Sequence, residues 1–227
     1  MRLYRLTWQR HFRVWHRRIA LIAALQLLAW TVSGIYFAFV NIEGVRGEQH
    51  RLAVPSGVVD FAALDWLSDD ASQAVLQFRR PSELIIGIKG DAGVLWHNEQ
   101  GEPLAALAAE DVIALADVRT DLHPDVAEWV DVDILGGEYR GRALPLWRVY
   151  SADDPSLVAY IDVYSGDVVA IRSTLWRWWD FLWSLHIMDY DDRDDIGTWL
   201  LKLFSVLALL TAVAGIGLYW LIPKRIR

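Results

Sequence analysis

The feature that most constrains this chain is an uncharged run of 22 residues, "IALIAALQLLAWTVSGIYFAFV", over residues 19–40. As a helix at 1.5 Å per residue the run covers about 33 Å, enough to cross the hydrocarbon core of a bilayer. It therefore predicts a first transmembrane helix. A cleaved signal peptide is the alternative, because arginines precede the run. Signal peptides have a shorter apolar region of about 7–15 residues that ends at small residues, whereas this run ends in "GIYFAFV".

A second uncharged run, "LFSVLALLTAVAGIGLYWLI", precedes Pro223 and predicts a second transmembrane helix over residues 199–222. The segments 1–18 and 223–227 are basic and contain no acidic residue. Because Lys and Arg close to spans favour the cytoplasmic side, both termini are expected in the cytoplasm. The intervening segment is then expected in the periplasm, with the chain in the bacterial inner (cell) membrane. Neither run contains an ionisable side chain, which argues against a channel or a transporter.

The segment between the runs is strongly acidic. Residues 41–196 contain all 29 acidic residues and 12 of the 22 basic ones, a net charge of −17. Since nucleic-acid binding needs a basic face, this charge argues against that class of partner. The chain has no cysteine, so disulfides and cysteine-ligated metals are excluded. No catalytic motif such as GxSxG or HExxH is present, which favours a non-catalytic role, and no metal site is predicted.

Short β-branched and aromatic stretches predict an α+β domain over residues 41–174, with antiparallel strands and packed helices between the two spans. Strands are expected in "AVLQFRR", "SELIIGIKG" and "GVLWHNEQGEPLAAL", and again in "LPLWRVYSADDPSLVAYIDVYSGDVVAI". Helices are expected in "DFAALDWLSDD" and "AAEDVIALADV", with a further short helix in "LHPDVAEWV".

One strand is expected to end in a tight turn in which Asp162 caps backbone amides and Gly166 supplies a positive φ. Asn98 and Gly101 occupy similar places in the first half of the domain, one residue closer together. A twofold internal repeat is therefore one reading of the domain, and a single unit is the other.

Residues 175–188 are expected to form an amphipathic helix at the membrane interface. Trp176, Trp179, Trp183 and His186 follow one another at spacings of three, four and three, so a helix places them on one stripe. Tryptophan favours the headgroup level, where its ring is buried and its N–H is hydrated. The aspartates that follow are expected to hold the chain in water and to cap the start of the second span. They lack the central glycine and closing glutamate of a calcium loop.

Two long stretches resemble a known family. "LPLWRVYSADDPSLVAYIDVYSGDVVAIRS" resembles the PepSY domain, and "RWWDFLWSLHIMDYDDRDDIGTWLLKLFSVLALLTAVAGIGLYW" resembles the PepSY-associated transmembrane helix, together over Leu144–Trp220. The resemblance implies a non-catalytic module that binds a peptide, a protease or a partner membrane protein outside the cytoplasm. Larger members of the family include haem-containing reductases that release iron from siderophores. The alternative function is therefore a haem-b electron-transfer subunit.

Under the haem alternative His186 is an axial ligand, because neutral imidazole binds haem iron and this residue follows an aromatic stripe. His16 is the other candidate ligand. The predicted topology puts it at the opposite membrane face, about 30 Å away, so both cannot bind one iron within one chain. A bis-histidine site would need a homodimer or another subunit. Small residues four apart, Ala29 with Ser33 and Thr211 with Gly215, are compatible with close helix packing of that kind.

Overall fold

The computed structural model describes residues 2–53, 56–67, 74–90, 93–134 and 136–221. For residues 2–17, 19, 63, 214–215 and 217–221 it describes the backbone alone. The chain divides into two compact units. The helical unit comprises Met1–Val40 and Trp178–Arg227, and the α+β unit comprises Asn41–Arg177.

The helical unit contains α1 (Arg2–Phe39), most of α4 (Thr174–Ile187) and α5 (Trp199–Leu221). Within the described residues, one helix is long and apolar enough to cross a membrane, Ala20–Phe39 near the N-terminus. The first predicted span therefore coincides with a continuous helix. The described apolar part of α5, Trp199–Val213, is shorter, so the second span remains a prediction.

The α+β unit begins with the short helix α2 (Ile42–Arg46), which is capped at both ends. The side chain of Asn41 accepts a hydrogen bond of 2.9 Å from the Glu43 N–H at the start. Gly47 ends the helix with a left-handed φ of 77°. The 3-10 turns Glu48–His50 and Phe61–Leu64 follow. In the described part of the stretch "DFAALDWLSDD", where a helix was expected, the structure has only the second of these turns, and residues 65–67 are turn and bend.

Two antiparallel sheets follow, each with its strands in chain order. The first sheet contains β1 (Ala74–Arg80), β2 (Glu83–Gly90) and β3 (Gly93–His97). The second contains β4 (Val126–Val130), β5 (Leu146–Ser151), β6 (Asp154–Asp162) and β7 (Val168–Arg172). Helix α3 (Ala109–Arg119) lies between them in the chain. The predicted α+β class with antiparallel strands is therefore confirmed.

One element was predicted wrongly. The stretch "LHPDVAEWV" forms strand β4 rather than a short helix, with Ala127 opposite Val149 and Trp129 opposite Trp147 in β5. Its valines and tryptophan suit a pleated, half-buried surface, and pairing with β5 supplies the backbone hydrogen bonds that a helix would otherwise make. The rings of Trp129 and Trp147 meet edge to face, with centroids 5.0 Å apart.

Both faces of the second sheet are covered. On one face Val112 and Ala116 of α3 pack in a buried cluster with Val149, Ala159 and Ile161 of the sheet. On the other, the loop of residues 131–145 brings Tyr139 against a second cluster. This cluster contains Leu146, Val158, Tyr160 and Ala170. Because side chains alternate along each strand, a sheet buried on both sides needs apolar residues at nearly every central position, as β6 provides.

The two tight turns repeat one geometry. The Asp162 carboxylate accepts hydrogen bonds from the N–H groups of Tyr164 and Ser165 at 3.0 and 2.7 Å, and Gly166 has a φ of 69°. In the first half, Asn98 accepts hydrogen bonds from two later backbone amides, and Gly101 has a φ of 81°. The Asn98 turn follows β3, the last strand of the first sheet, whereas the Asp162 turn joins β6 to β7 within the second sheet.

A buried arginine connects the first sheet to the Asp162 turn. Arg119, at the end of α3, is 5% exposed. Its guanidinium donates hydrogen bonds to the carbonyls of Phe78, Arg79 and Gly166 at 3.0 to 3.1 Å, and it pairs with Asp167 at 2.9 Å. Five fixed donors on one plane allow a single side chain to satisfy carbonyls of β1 and of the Asp162 turn.

Candidate functional site

The end of α4 is held against α1 by side chains that bind its last carbonyls. The helix stops because Met188 adopts a left-handed φ of 55°. The indole N–H of Trp30 then donates to the carbonyl of His186 at 2.7 Å, and Thr198 donates to the carbonyl of Ile187 at 3.3 Å. Both carbonyls lie beyond the last intrahelical donors, so they need such partners.

The imidazole of His186 is oriented by Ser33 of α1. Nδ1 of His186 lies 2.8 Å from the Ser33 hydroxyl oxygen, and Ser33 is 1% exposed. That hydroxyl also lies 2.8 Å from the carbonyl of Ala29. When the hydroxyl donates its hydrogen to Ala29, Nδ1 of His186 carries the proton and donates to Ser33, and the lone pair is on Nε2. Burial lowers the pKa of His186, so its ring is neutral near pH 7.

Aromatic rings surround this histidine. The rings of Trp179 and Trp183 are stacked with centroids 5.3 Å apart, and the ring of Trp183 lies nearly parallel to that of His186 at 6.4 Å. Phe37 of α1 meets His186 edge-on at 5.5 Å. The stripe expected from the sequence thus forms over Trp179, Trp183 and His186, and it faces α1.

Trp176 and the outward-facing residues of α4 have other surroundings than that stripe. Trp176 is 8% exposed and packs beneath the guanidinium of Arg172, which lies 4.4 Å from its ring centroid. The residues of α4 that face outward are Leu175, Trp178 and Phe181, which are 41 to 59% exposed. An interfacial role for Trp176, Trp179 and Trp183 stays a prediction. Trp178 and Phe181 are exposed aromatic side chains of α4, and sequence spacing alone did not distinguish them.

The acidic run after α4 folds back onto the helix. The Asp180 carboxylate is 2% exposed and pairs with Arg193, and the Trp183 indole donates to the Arg193 carbonyl at 3.1 Å. Asp189 is buried and accepts backbone N–H bonds from Asp194 and Asp195, each of 2.9 Å. Burial alone would raise the pKa of Asp189, but these backbone amides outweigh burial and lower it. Four aspartates of the run remain exposed: Asp191, Asp192, Asp194 and Asp195.

Strand β4 forms one outer edge of the second sheet. The outer edge of β1 is contacted by Arg119, that of β3 by the return of the chain at Leu104, and that of β7 by Arg51. Within the described residues no backbone group hydrogen-bonds to the outer edge of β4. Three large apolar residues are exposed along and beyond this strand: Trp129 (43%), Val132 (64%) and Ile134 (63%).

The described residues contain no group of three or more His, Cys, Asp or Glu side chains arranged to hold a metal ion. The side chain of His16 lies outside the described residues. Reasoning from sequence missed Ser33 and Trp30 as partners of His186. The spacing of Ala29 and Ser33 marked only a place for close helix packing. No protein-family model, curated protein or solved structure matches the chain.

Proposed function

We propose that this chain is an inner-membrane protein of the PepSY kind, whose periplasmic α+β unit binds a peptide, a protease or a partner membrane protein without catalysing a reaction. The two predicted spans anchor the unit, and both termini lie in the cytoplasm. The observation that carries the binding role is the uncovered edge of β4 with its apolar neighbours Trp129, Val132 and Ile134.

An exposed strand edge presents unpaired N–H and C=O groups to which an extended peptide adds as a further strand. Natural proteins usually cover such edges, and at β1, β3 and β7 this chain has single contacts from Arg119, Leu104 and Arg51. An uncovered edge beside exposed apolar side chains offers main-chain hydrogen bonds for affinity and side-chain contacts for selectivity. The ligand expected here is an extended segment with apolar residues at alternate positions.

Site-specific photo-cross-linking in living cells tests this role. A photoreactive amino acid at Trp129 or Val132 is expected to give one defined adduct, whose partner mass spectrometry then identifies. Leu95 is the matched control, because it is 66% exposed on β3, whose edge is covered. Adducts at Trp129 and at Val132 and none at Leu95 support the proposal. Equal adducts at all three positions, or none, contradict it.

A second candidate is favoured by the pairing of His186 with Ser33. A haem-ligating histidine commonly donates its other ring N–H to a fixed acceptor, and in the tautomer of His186 that donates to Ser33 the ligating atom would be Nε2. The ring is neutral and lies among aromatic side chains, which suits a haem-b site. Bound haem would supply one-electron transfer, and a second axial ligand would come from a second copy or another subunit.

A reduced-minus-oxidised absorption spectrum of the purified full chain in detergent tests the haem candidate. If the chain binds haem, the spectrum is expected to show Soret and α bands, and both are expected to be absent from His186→Ala. Ser33→Ala removes only the Nδ1 acceptor and is expected to weaken haem retention by about 10–100-fold, the usual effect of losing such a partner. A well-folded preparation with no haem bands would exclude this candidate and leave the binding role untouched.

A further inference from the structure

Strand β4 and the residues on either side of it carry a run of acidic side chains. Residues 121–134 contain no Lys or Arg and five exposed acidic residues: Asp121, Asp125, Glu128, Asp131 and Asp133. The same stretch contains the exposed apolar side chains of Trp129, Val132 and Ile134. A strand edge with both apolar and negatively charged side chains selects its partner more narrowly than an apolar edge does.

Three of the five carboxylates have no cationic partner among the described residues: Asp125, Asp131 and Asp133. Two of these three lie 2.7 and 2.9 Å from neutral donors, a backbone N–H and a tyrosine hydroxyl. The other two carboxylates are paired. Glu128 pairs with Arg148 of β5 at 2.6 Å, and Asp121 lies 2.9 Å from Nδ1 of His50. A cationic partner would therefore meet carboxylates that are exposed and not already paired.

Alternation along β4 determines where each kind of ligand side chain would lie. Trp129 shares one face of the strand with Ala127, and Glu128 shares the other face with Val130. Glu128 is directly opposite Arg148 in the register of β4 and β5. A Lys or Arg placed opposite Glu128 in an added strand would extend this pair into a row of three alternating charges. The next ligand residue would lie beside Trp129, where an apolar side chain fits.

The same charges argue against a second copy of this chain as the occupant. Pairing of two β4 strands edge to edge would bring the acidic stretch of one copy against that of the other. Like charges opposite each other across a strand pair are destabilising, and charged edges are one means by which proteins prevent such pairing. The stretch therefore disfavours self-association and favours a partner of opposite charge.

We propose that the edge of β4 binds an extended basic segment, in which Lys or Arg residues alternate with apolar ones. The inference rests on the proposed function and adds the charge of the ligand to it. Main-chain hydrogen bonds to β4 would supply affinity for any extended segment. The carboxylates would select basic segments and accelerate their encounter with the edge.

Fluorescence anisotropy with the full chain in non-ionic detergent tests this inference. The probes are short labelled peptides in which valine alternates with lysine, with glutamine or with glutamate. We expect the lysine peptide to bind about fivefold more tightly than the glutamine peptide at low salt, the effect of a few exposed ion pairs. The preference should decrease as the salt concentration rises, and the glutamate peptide should bind most weakly.

Substitution of single carboxylates tests whether the preference arises at β4. Asp131→Asn and Glu128→Gln are each expected to lower the preference for lysine over glutamine by about twofold. Asp131 is exposed and has no ion pair with a described residue, so its variant is expected to fold. Glu110→Gln is the matched control, because Glu110 is an exposed carboxylate at the start of α3, and it is expected to keep the full preference.

Three results would overturn the inference. One is equal affinity for the lysine and glutamine peptides, or no measurable binding of the lysine peptide. Another is a full preference in the double variant of Asp131→Asn and Glu128→Gln. The third is a cross-link from Trp129 to a second copy of this chain. The proposed function is judged separately, because defined adducts at β4 with a partner that lacks basic residues would support the binding role and contradict only the charge preference.

Discussion

Single glycines decide whether the turns of the α+β unit can form. Gly166 combines two requirements: its φ of 69° is one that side chains rarely adopt, and an added Cβ would overlap the Cδ2 atom of Leu115. Gly141 has a similar φ of 60°, but an added Cβ would have no atom within 4 Å. Substitutions at these two glycines therefore measure the cost of backbone strain separately from the cost of steric overlap.

We expect Gly141→Ala to destabilise the protein by about 1 kcal/mol through the left-handed backbone alone. Gly166→Ala is expected to cost about 3 kcal/mol, because overpacking against Leu115 adds about 2 kcal/mol. Thermal unfolding of both variants in detergent measures the difference. Equal losses would mean that Leu115 moves aside at little cost and that the packing around the Asp162 turn is loose.

At the scale of elements, the link between α4 and α5 is organised by an aspartate that points inward. Asp189 accepts backbone amides from Asp194 and Asp195, while Thr198 caps α5 by accepting the Leu201 N–H at 3.2 Å. The sequence predicts that this run is hydrated and caps the second span. Asp194 and Asp195 are exposed, but the cap itself is Thr198, and the one buried carboxylate holds the loop together.

We expect Asp189→Asn to lower the thermal midpoint by about 6 °C at pH 7, as the loss of hydrogen bonds to a charged acceptor costs about 2 kcal/mol. Its folded pKa lies below the ordinary value of 3.8, so the ionised form stabilises the fold. That contribution is complete above pH 3.8 and is lost as the pH falls through the lower folded pKa. The difference in thermal midpoint between Asp189→Asn and wild type should therefore become smaller below pH 3.8.

The control for this loop is Asp192→Asn, since Asp192 is an exposed neighbour in the same acidic run. It is expected to leave the thermal midpoint within about 1 °C of wild type, in line with other surface substitutions. A comparable fall of the thermal midpoint in both variants would show that the total charge of the loop affects stability more than the hydrogen bonds of Asp189 do.

At the scale of the whole molecule, the proposed function requires the α+β unit and the two termini to lie on opposite sides of the membrane. The chain contains no cysteine, so single cysteines can report which side of the membrane each segment occupies. Val58 is 96% exposed in the α+β unit and suits such a probe.

In spheroplasts, a membrane-impermeant maleimide is expected to label Val58→Cys. Cysteines at positions 2 and 227 should react only after the membrane is permeabilised. Labelling of position 227 from outside would show that α5 does not span and would refute the two-span topology. Release of Val58→Cys into the soluble periplasmic fraction would instead show that residues 19–40 act as a cleaved signal.

The sequence by itself determined the long apolar helix α1, most strands, helices α3 and α4, and the turn at Asp162 and Gly166. These features depend on local patterns, namely hydrophobic runs, alternation and backbone preferences within a few residues. Tertiary structure decided the rest. It turned the stretch at 126–130 into a strand through pairing with β5, and it separated Trp176 from the His186 stripe by packing it under Arg172. It also joined Ser33 to His186 and packed Arg140 and Arg172 against the indole of Trp176, because such contacts depend on distant segments meeting in space.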